Sequence, residues 1–187
     1  MPLNWHNRGL HIEVGMAVAY KATADGSYEL TLDEHGEKHV VKFSYDMHGI
    51  KDYIGSTALP AAVIVSDSGK VVFSGFWAKI IQHDSLVDEN GNPLHIVLGK
   101  TCRNVVNKAI KDPNTGKTFL RCTITLNAKK DNFWRINFDG NMAVAANGIY
   151  RPNKYVAALV RSIGPVTQND KGVSEQTMEG VSFALLE

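Results

Sequence analysis

The chain has 187 residues, of which 44% are hydrophobic and 21% are charged, and its net charge at pH 7 is +1. This composition is ordinary for one globular domain or two small ones, and it excludes a generally disordered chain. No apolar run is long enough to cross a membrane, no secretory leader is visible at the N-terminus, and two cysteines are too few for a disulfide framework.

Basic and acidic residues are segregated along the chain. Residues 95–164 contain twelve Lys or Arg and three acids, a net charge of +9. Residues 1–94 contain seven basic and twelve acidic residues, a net charge of −5, and residues 165–187 carry −3. Clustered positive charge is typical of a protein that binds a polyanion, most often nucleic acid, although a solvated basic face without a partner has the same pattern.

The first half of the chain predicts short strands joined by polar turns. Apolar and β-branched runs at 14–20, 28–32, 40–45 and 71–76 are separated by turn sequences rich in Asp, Gly and Ser. Alternating strands with such turns indicate an antiparallel meander.

The polar segment 84–93 is either a domain boundary or the tip of a hairpin inside one domain. Beyond it, the sequence predicts strands at 96–98, 118–127, 133–138 and 155–163. The small, Ala-rich segment at 141–150 predicts a short helix. Regularly spaced strands with one helix indicate an all-β barrel or sandwich.

The last segment, 167–187, is polar until its apolar end at 181–186. Such an ending fits either a final edge strand or a short peptide that docks on a partner. We favour the strand, because the acidity of the segment is slight and its apolar residues are bulky.

Two of the predicted strands carry aromatic and cationic side chains on one face. Period-2 alternation in 118–127 places Phe119 and Arg121 opposite the core face. The next strand separates Phe133 and Arg135 from Trp134 in the same way. Single-stranded nucleic acid is bound by aromatic rings that stack on bases and by cations that follow the phosphates. For any one aromatic residue, ordinary packing in the core is an equal alternative.

The order of these features resembles the OB-fold core of bacterial and phage-type single-stranded DNA-binding proteins. The matching features are a strand ending in glycine at 96–99, a Thr-Ile-Thr-Leu-Asn strand at 123–127, and an aromatic-x-Arg strand closing on glycine at 133–140. A small-residue helix at 141–146 and an apolar strand at 155–161 follow at a similar spacing. The resemblance implies an all-β fold with one or two short helices and a five-stranded OB-fold barrel.

The resemblance also implies an interface for nucleic acid in which Phe133 is the main base-stacking residue, beside Trp134 and Arg135. Together with the other cations and aromatics of the basic block, the expected interface consists of Lys100, Arg103, Lys108, Lys111, Lys117, Phe119, Arg121, Lys129, Lys130, Phe133, Trp134, Arg135, Tyr150, Arg151, Lys154 and Tyr155.

Two features depart from that family, and in addition residues 1–94 have no counterpart in a one-domain member of it. Only residues 128–132 connect the second and third barrel strands, where the family has a long hairpin, and this implies a smaller binding site. The C-terminus lacks the family's acidic run ending in Pro-Phe, which recruits replication partners. The chain is expected to divide into an N-terminal β domain (1–92), an OB-fold domain (93–166) and a C-terminal tail or edge strand (167–187). The first of these is either a second, divergent OB barrel in tandem or an extension of one enlarged domain.

The sequence therefore predicts a sequence-nonspecific single-stranded DNA-binding protein that protects single strands during DNA replication or recombination. RNA is not excluded, since no residue pattern reports on a 2′-hydroxyl group. A homo-oligomer in the cytoplasm of a bacterium or a virus-infected host cell is expected, with replication proteins as further partners and no membrane. The alternatives are a structural β protein of a virus or phage particle and an OB-fold replication adaptor that holds another protein.

Enzymatic and metal chemistry are not predicted. His35 and His39 flank a glycine-containing turn, but no third ligand lies near them in the sequence. No candidate acid or base is linked to a nucleophile, so neither an active site nor a cofactor is expected.

Overall fold

The computed structural model describes residues 7–47, 49–55, 59–77 and 79–187, without the side chains of Asn7 and Lys129. Within these ranges the strands are β1 (Leu10–Ala22), β2 (Tyr28–Glu34), β3 (Glu37–Phe43), β4 (Pro60–Ser66), β5 (Val71–Phe76), β6 (Ile80–Val87), β7 (Pro93–Lys111), β8 (Thr118–Lys129), β9 (Asn132–Asp139), β10 (Tyr155–Ile163), β11 (Thr167–Gln168) and β12 (Ser174–Leu185). They are accompanied by one α-helix, α1 (Asn141–Ile149), and by 3-10 turns at Asn7–Gly9 and Ile50–Asp52. The expected all-β fold class is confirmed. In the part of the chain covered by these ranges, no helix combines the length and apolarity needed to cross a membrane.

The second half of the chain forms a closed sheet in the order β7-β8-β9-β12-β10, with β10 pairing back onto β7. The pair β9–β12 is parallel and its neighbours are antiparallel. The helix α1 connects β9 to β10, that is, the third barrel strand to the fourth. A five-stranded Greek-key barrel of this kind is the OB-fold.

The first half repeats this strand order. Its sheet runs β3-β2-β1-β4-β5, which corresponds strand for strand to β9-β8-β7-β10-β12. The 3-10 turn Ile50–Asp52 lies between the third and fourth strands, where the second half has α1. The two halves therefore share one topology.

A short sequence repeat accompanies the repeated topology. Residues 10–15 read Leu-His-Ile-Glu-Val-Gly, and residues 94–99 read Leu-His-Ile-Val-Leu-Gly. In each half the isoleucine of this motif pairs with an aliphatic residue of the neighbouring strand, Ile64 in β4 and Leu159 in β10. The motif therefore occupies the same register position in both sheets.

Three apolar clusters hold the fold together: one inside each sheet and one between the two sheets. The cluster between the sheets, here called the middle core, consists of Leu10, Ile12, Val14, Met16, Ala62, Ile64, Ile81, Leu86, Leu94, Ile96, Leu98, Ala157, Leu159, Ala184 and Leu186. Alternate residues of β4 and β10 contribute to it, while the residues between them fill the sheet interiors. Both strands are therefore buried on both faces, which accounts for their continuous apolar sequences.

The sequence prediction gave the bounds of β5 and β10 correctly and shortened or missed other strands. β4 was missed because its run Pro-Ala-Ala-Val-Ile-Val-Ser has no polar alternation. β6 was missed because its sequence is mostly polar at its centre. β12 pairs with both β9 and β10, so the C-terminal strand is interior to the closed sheet and not at an edge.

The chain crosses from the first sheet to the second just before β6. Although β6 precedes residue 93, it pairs with β7, for example Ile80 with Val97. The chain therefore leaves the first sheet after Phe76 and enters the second at Ile80. The division into an N-terminal domain (1–92), an OB-fold domain (93–166) and a C-terminal segment (167–187) stays a prediction.

Asp88, at the turn between β6 and β7, ties that turn to β10. Its carboxylate accepts hydrogen bonds from the backbone N–H groups of Asn90 and Asn92 and from the Arg161 guanidinium at 2.9 Å. Burial alone would raise the pKa of Asp88, but these hydrogen bonds outweigh it and lower the pKa to about 2. The turn is thus held by a carboxylate that stays ionised.

Two glycines are required by close approach of neighbouring strands. A Cβ atom at Gly15 would lie 3.0 Å from the carbonyl oxygen of Asp33, and one at Gly99 would lie 2.9 Å from that of Asn127. In both cases the added atom would meet a backbone carbonyl of the neighbouring strand, which cannot change its position as a flexible side chain could.

We expect Gly99→Ala to destabilise the protein by about 1–3 kcal/mol, because the added methyl group overlaps the β8 backbone. The matched control is Gly148→Ala, where a Cβ meets nothing within 4 Å and the residue lies in α1. That change should be neutral or stabilising by up to about 1 kcal/mol. Denaturant unfolding midpoints measure both, and equal midpoints for the two variants would contradict the predicted overlap.

Candidate nucleic-acid interface

A β-bulge interrupts the pairing of β7 with β8 near the middle of β7. Cys102 pairs with Thr125 and Val106 with Thr123, so three residues of β7 stand opposite one residue of β8. The first of them, Arg103, has a left-handed backbone with φ 62°, and its carbonyl oxygen accepts a hydrogen bond from the Tyr150 hydroxyl. Non-glycine residues rarely adopt this conformation unless their surroundings fix it, and such residues often lie at functional sites.

Four residues on neighbouring strands of the second sheet lie in a single register line. Tyr155 of β10 pairs with Lys100 of β7, Lys100 pairs with Asn127 of β8, and Asn127 pairs with Phe133 of β9. Directly paired residues point to the same face, and here it is the face away from the barrel interior. We call Tyr155, Lys100, Asn127 and Phe133 the contact row. It crosses three strand spacings, or about 14 Å.

One end of the contact row is surrounded by charge. The Arg103 guanidinium lies 4.4 Å from the centroid of the Phe133 ring. Glu175 of β12 pairs with Phe133 in register, and its carboxylate binds Arg103 at 2.7 Å and Arg135 at 3.5 Å. The Glu175 side chain is 18% exposed, so solvent screens this network only partly. The network holds two guanidinium groups next to an aromatic ring.

The other end of the contact row is aromatic. The Lys100 ammonium lies 5.5 Å from the Tyr155 ring, and the Trp77 ring contacts the same tyrosine edge-on at 5.2 Å. The Trp77 indole N–H also donates a hydrogen bond to the carbonyl of Ala128. Burial, followed by the charge of Glu187, raises the pKa of the Tyr155 hydroxyl, so this ring is neutral at physiological pH.

Asn127 occupies the centre of the contact row. Its Oδ1 atom is buried and has no hydrogen-bond partner among the described residues. Most buried polar atoms in folded proteins are paired, so this oxygen is an exception, and its burial keeps it out of reach of a ligand in this conformation.

The loop that carries Arg151 and Lys154 is fastened beside Lys100. The Thr101 hydroxyl donates to the Arg151 carbonyl at 2.6 Å and accepts from the Lys154 backbone N–H at 2.8 Å. Thr101 is fully buried, so its side chain serves this attachment alone. The Lys154 side chain is exposed next to the contact row, whereas the Arg151 guanidinium turns back onto the carbonyl of Tyr150.

The structure places Phe119 far from Phe133. Phe119 lies on the same face of β8 as Asn127, but eight residues away, about 27 Å along the strand. Its ring contacts the Arg121 guanidinium at 5.5 Å, and Arg121 forms a bidentate pair with Asp139. That hydrogen bonding raises the pKa of Arg121. Phe119 and Arg121 therefore lie where residues 118–123 of β8 pair with residues 106–111 of β7, here called the β7–β8 ribbon, and not in the contact row.

A shallow groove lies where the ribbon meets β9 and β12. It is lined by Val106, Lys108, Ile110, Arg121, Thr123, Arg135, Asn137 and Thr177. Lys111 and Lys117 stand at the tip of the ribbon, on either side of the turn closed by Asp112. The ribbon thus extends the positive surface away from Arg135.

The expectation for Trp134 requires a correction. Its side chain is 6% exposed and packs in the interior cluster of the second sheet, so it cannot stack on a base. Its partner across the strands, Leu126, is also fully buried. The alternation of β9 explains this burial, because Trp134 points to the opposite face of the strand from Phe133. Tyr150 is only partly exposed, since its ring packs against the same cluster.

The remaining cations differ in their ionic partners. Arg103, Arg121, Arg135 and Arg161 form ion pairs within the chain. Among the described residues, no carboxylate lies within ion-pairing distance of Lys100, Lys108, Lys111, Lys117, Lys130, Arg151 or Lys154. The side chain of Lys129 lies outside the described part of the chain. Four arginines are thus paired with carboxylates, whereas these lysines and Arg151 carry uncompensated charge.

Three residues of this surface were not predicted from the sequence: Trp77, Asn127 and Glu175. Trp77 follows a strand of the other half, and Glu175 lies in a segment expected to be a tail. Asn127 was placed on the outer face of its strand but given no role. The missing signal was contact between distant parts of the chain: Glu175 pairs with Phe133 across strands, and the Trp77 ring contacts Tyr155. In the described ranges, no group of three His, Cys, Asp or Glu side chains is arranged to hold a metal ion.

Comparison with known proteins gives a weak structural likeness. No protein-family model and no curated protein sequence matches the chain. Two solved structures of the single-stranded DNA binding protein from Thermus aquaticus, the wild type and a deletion mutant, are 14% and 12% identical to it. The alignments cover 94% of this chain and 91% and 92% of those chains, with a TM-score of 0.30 in both cases. Because this TM-score is low, the OB-fold assignment rests on the strand order of the second sheet.

We expect Glu175→Gln to strengthen binding to an immobilised polyanion such as heparin, because it releases two guanidinium groups from their carboxylate. The matched control is Glu179→Gln, which removes the same charge from a side chain that is 51% exposed and leaves Arg161 paired with Asp88. The salt concentration at elution measures the effect. The Glu175 variant should elute later than the Glu179 variant, and equal elution would mean that net charge alone determines binding.

Proposed function

We propose that the protein binds single-stranded nucleic acid through the contact row and the cations around it. The observation that carries this proposal is the register line itself, which brings two aromatic rings and a lysine onto one face of the second sheet. Rings with adjacent cations suit stacked bases and the phosphates between them. A duplex keeps its bases stacked inside the helix, so it cannot use these rings.

Binding would be a simple equilibrium with two contributions. Bases stack on Phe133 and Tyr155, and the side chains of Lys100, Lys154 and Arg135 neutralise phosphates. Neutralisation releases counterions from the strand, so affinity falls as salt rises, by about 0.7 in log K per phosphate and log unit of salt. Since ring faces accept any base, this mode has little sequence preference. Neither contribution distinguishes DNA from RNA.

The short β8–β9 connection supports a limited site on this half of the chain. β8 ends at Lys129 and β9 begins at Asn132, so no long hairpin extends from this edge to wrap a strand. We propose protection of single-stranded DNA during replication or recombination as the biological role, carried out without catalysis by a cytoplasmic protein that self-associates. Replication proteins are proposed as further partners.

We propose a division of the chain into two tandem OB-type units. The shared strand order and the repeated motif at 10–15 and 94–99 support it. The middle core then acts as an interface between the two units.

Phe133→Ala should weaken binding to a labelled poly-dT strand of about 30 nucleotides by about 5- to 150-fold, the equivalent of one lost base stack. Val144→Ala, which truncates a side chain 63% exposed on α1, is the control and should change the affinity little. Fluorescence anisotropy at low and moderate salt, with duplex competitor, measures both. Equal competition by duplex, or an unchanged affinity for Phe133→Ala, would contradict stacking on the contact row.

Trp77, and not Trp134, should report binding by fluorescence quenching, because Trp77 contacts the Tyr155 ring and Trp134 is buried in the core. Trp77→Phe should remove most of the quenching that poly-dT causes, whereas Trp134→Phe should retain it. Each variant replaces one tryptophan by phenylalanine, so the two serve as controls for each other. If Trp134→Phe removed the quenching and Trp77→Phe retained it, the bound strand would lie away from Trp77 and Tyr155.

A further inference from the structure

We infer that a bound strand continues from the contact row onto the first sheet, where Tyr53, Phe76 and Lys79 form a second stacking site. This inference rests on the proposed function and extends it to the half of the chain with a net negative charge. Because residues 1–94 carry a net charge of −5, nucleic acid is not expected there from the sequence alone.

The proposed second site combines an exposed ring with a cation. Tyr53 is 49% exposed, and its ring lies 5.6 Å from that of Phe76 at an angle of 46°. The Lys79 ammonium lies 4.8 Å from the centroid of Phe76. Four pairs of a cation and a ring occur among the described residues; three lie in the basic block, and this is the fourth. The same chemistry therefore recurs outside the basic block.

The second site is continuous with the contact row. Phe76 ends β5 and Trp77 follows it directly. The Trp77 ring contacts Tyr155, and its indole N–H reaches the carbonyl of Ala128, next to Asn127. Trp77 therefore touches the contact row and is the chain neighbour of Phe76, so a strand that stacks on Tyr155 would next reach this segment.

The first sheet has no equivalent of the contact row at the corresponding register positions. Its matching line consists of Pro60, Met16, Asp33 and Lys38, in which Pro60 pairs with Met16, Met16 with Asp33, and Asp33 with Lys38. None of these residues has an aromatic ring, and an aspartate stands where the contact row has Asn127. A strand that reaches the first sheet would therefore bind at the junction and not on the corresponding face.

The geometry predicts a dependence on strand length. A strand of about 6 nucleotides, near the lower end of OB-fold site sizes, would occupy the contact row alone. A strand of about 20 nucleotides, longer than one OB-fold site, would reach Tyr53 and Lys79 as well. Loss of the second site should weaken only the binding of the longer strand.

The test measures the affinities of the full-length protein for labelled poly-dT strands of about 6 and about 20 nucleotides. Tyr53→Ala and Lys79→Glu should each weaken binding of the longer strand by about fivefold or more, and leave the shorter strand within about twofold. Tyr53→Phe keeps the ring and should restore binding. Lys70→Glu makes the same charge change as Lys79→Glu, at the opposite end of β5 from Phe76, and should have the smaller effect.

The outcomes separate the two proposals. If the wild-type protein binds neither strand, the proposed function fails. If the wild type binds both strands and the Tyr53 and Lys79 variants match it on the longer one, the second site is overturned while the contact row stands. Equal losses on both strand lengths, or equal effects of Lys79→Glu and Lys70→Glu, would also overturn the second site. Lys79 is exposed, so its variant tests the site even if Tyr53→Ala impairs folding.

Discussion

The middle core is the contact on which the rest of the structure depends. Strands from both sheets present apolar side chains to it, and β4 and β10 are buried on both faces as a result. Removing this apolar surface from water stabilises the pairing of the sheets without directional bonds. The polar contacts at the junction, such as Trp77 with the Ala128 carbonyl, follow from this packing because it fixes the distance between the sheets. The candidate interface lies at the rim of the same contact.

The cations in and around the contact row are of two kinds: arginines that are paired with a carboxylate and lysines that are not. Arg103 and Arg135 are held by Glu175, so their guanidinium groups are positioned before any ligand arrives, but their charge is partly used. Lys100 and Lys154 have no such carboxylate partner within the described ranges. Planar guanidinium groups suit fixed, stacked positions beside a ring, whereas flexible ammonium groups can follow a mobile backbone. This division suits a ligand that is held firmly at its bases and loosely at its phosphates.

Much of the second sheet could be predicted from the sequence, because its strands alternate and its turns contain Asn, Asp and Gly. The outer positions of Phe133 and Arg135 followed from that alternation. The strand β4 could not be recognised, since burial on both faces removes the alternating pattern. Contacts that depend on register between distant strands, such as Glu175 with Arg103, have no local signature at all. The burial of Trp134 is the reverse case. The alternation of β9 alone is enough to predict it, even though Trp134 lies next to a cation in the sequence.

The repeated motif at 10–15 and 94–99 makes the chain comparable to a symmetric dimer whose two subunits have been joined. In a homodimer every substitution appears twice, so both partners must keep the same surface. Here each half is encoded separately, and a change in one leaves the other untouched. One half could therefore become acidic and the other basic while the packing between them stayed alike. The surfaces of the two halves can therefore differ while the apolar packing between them is kept.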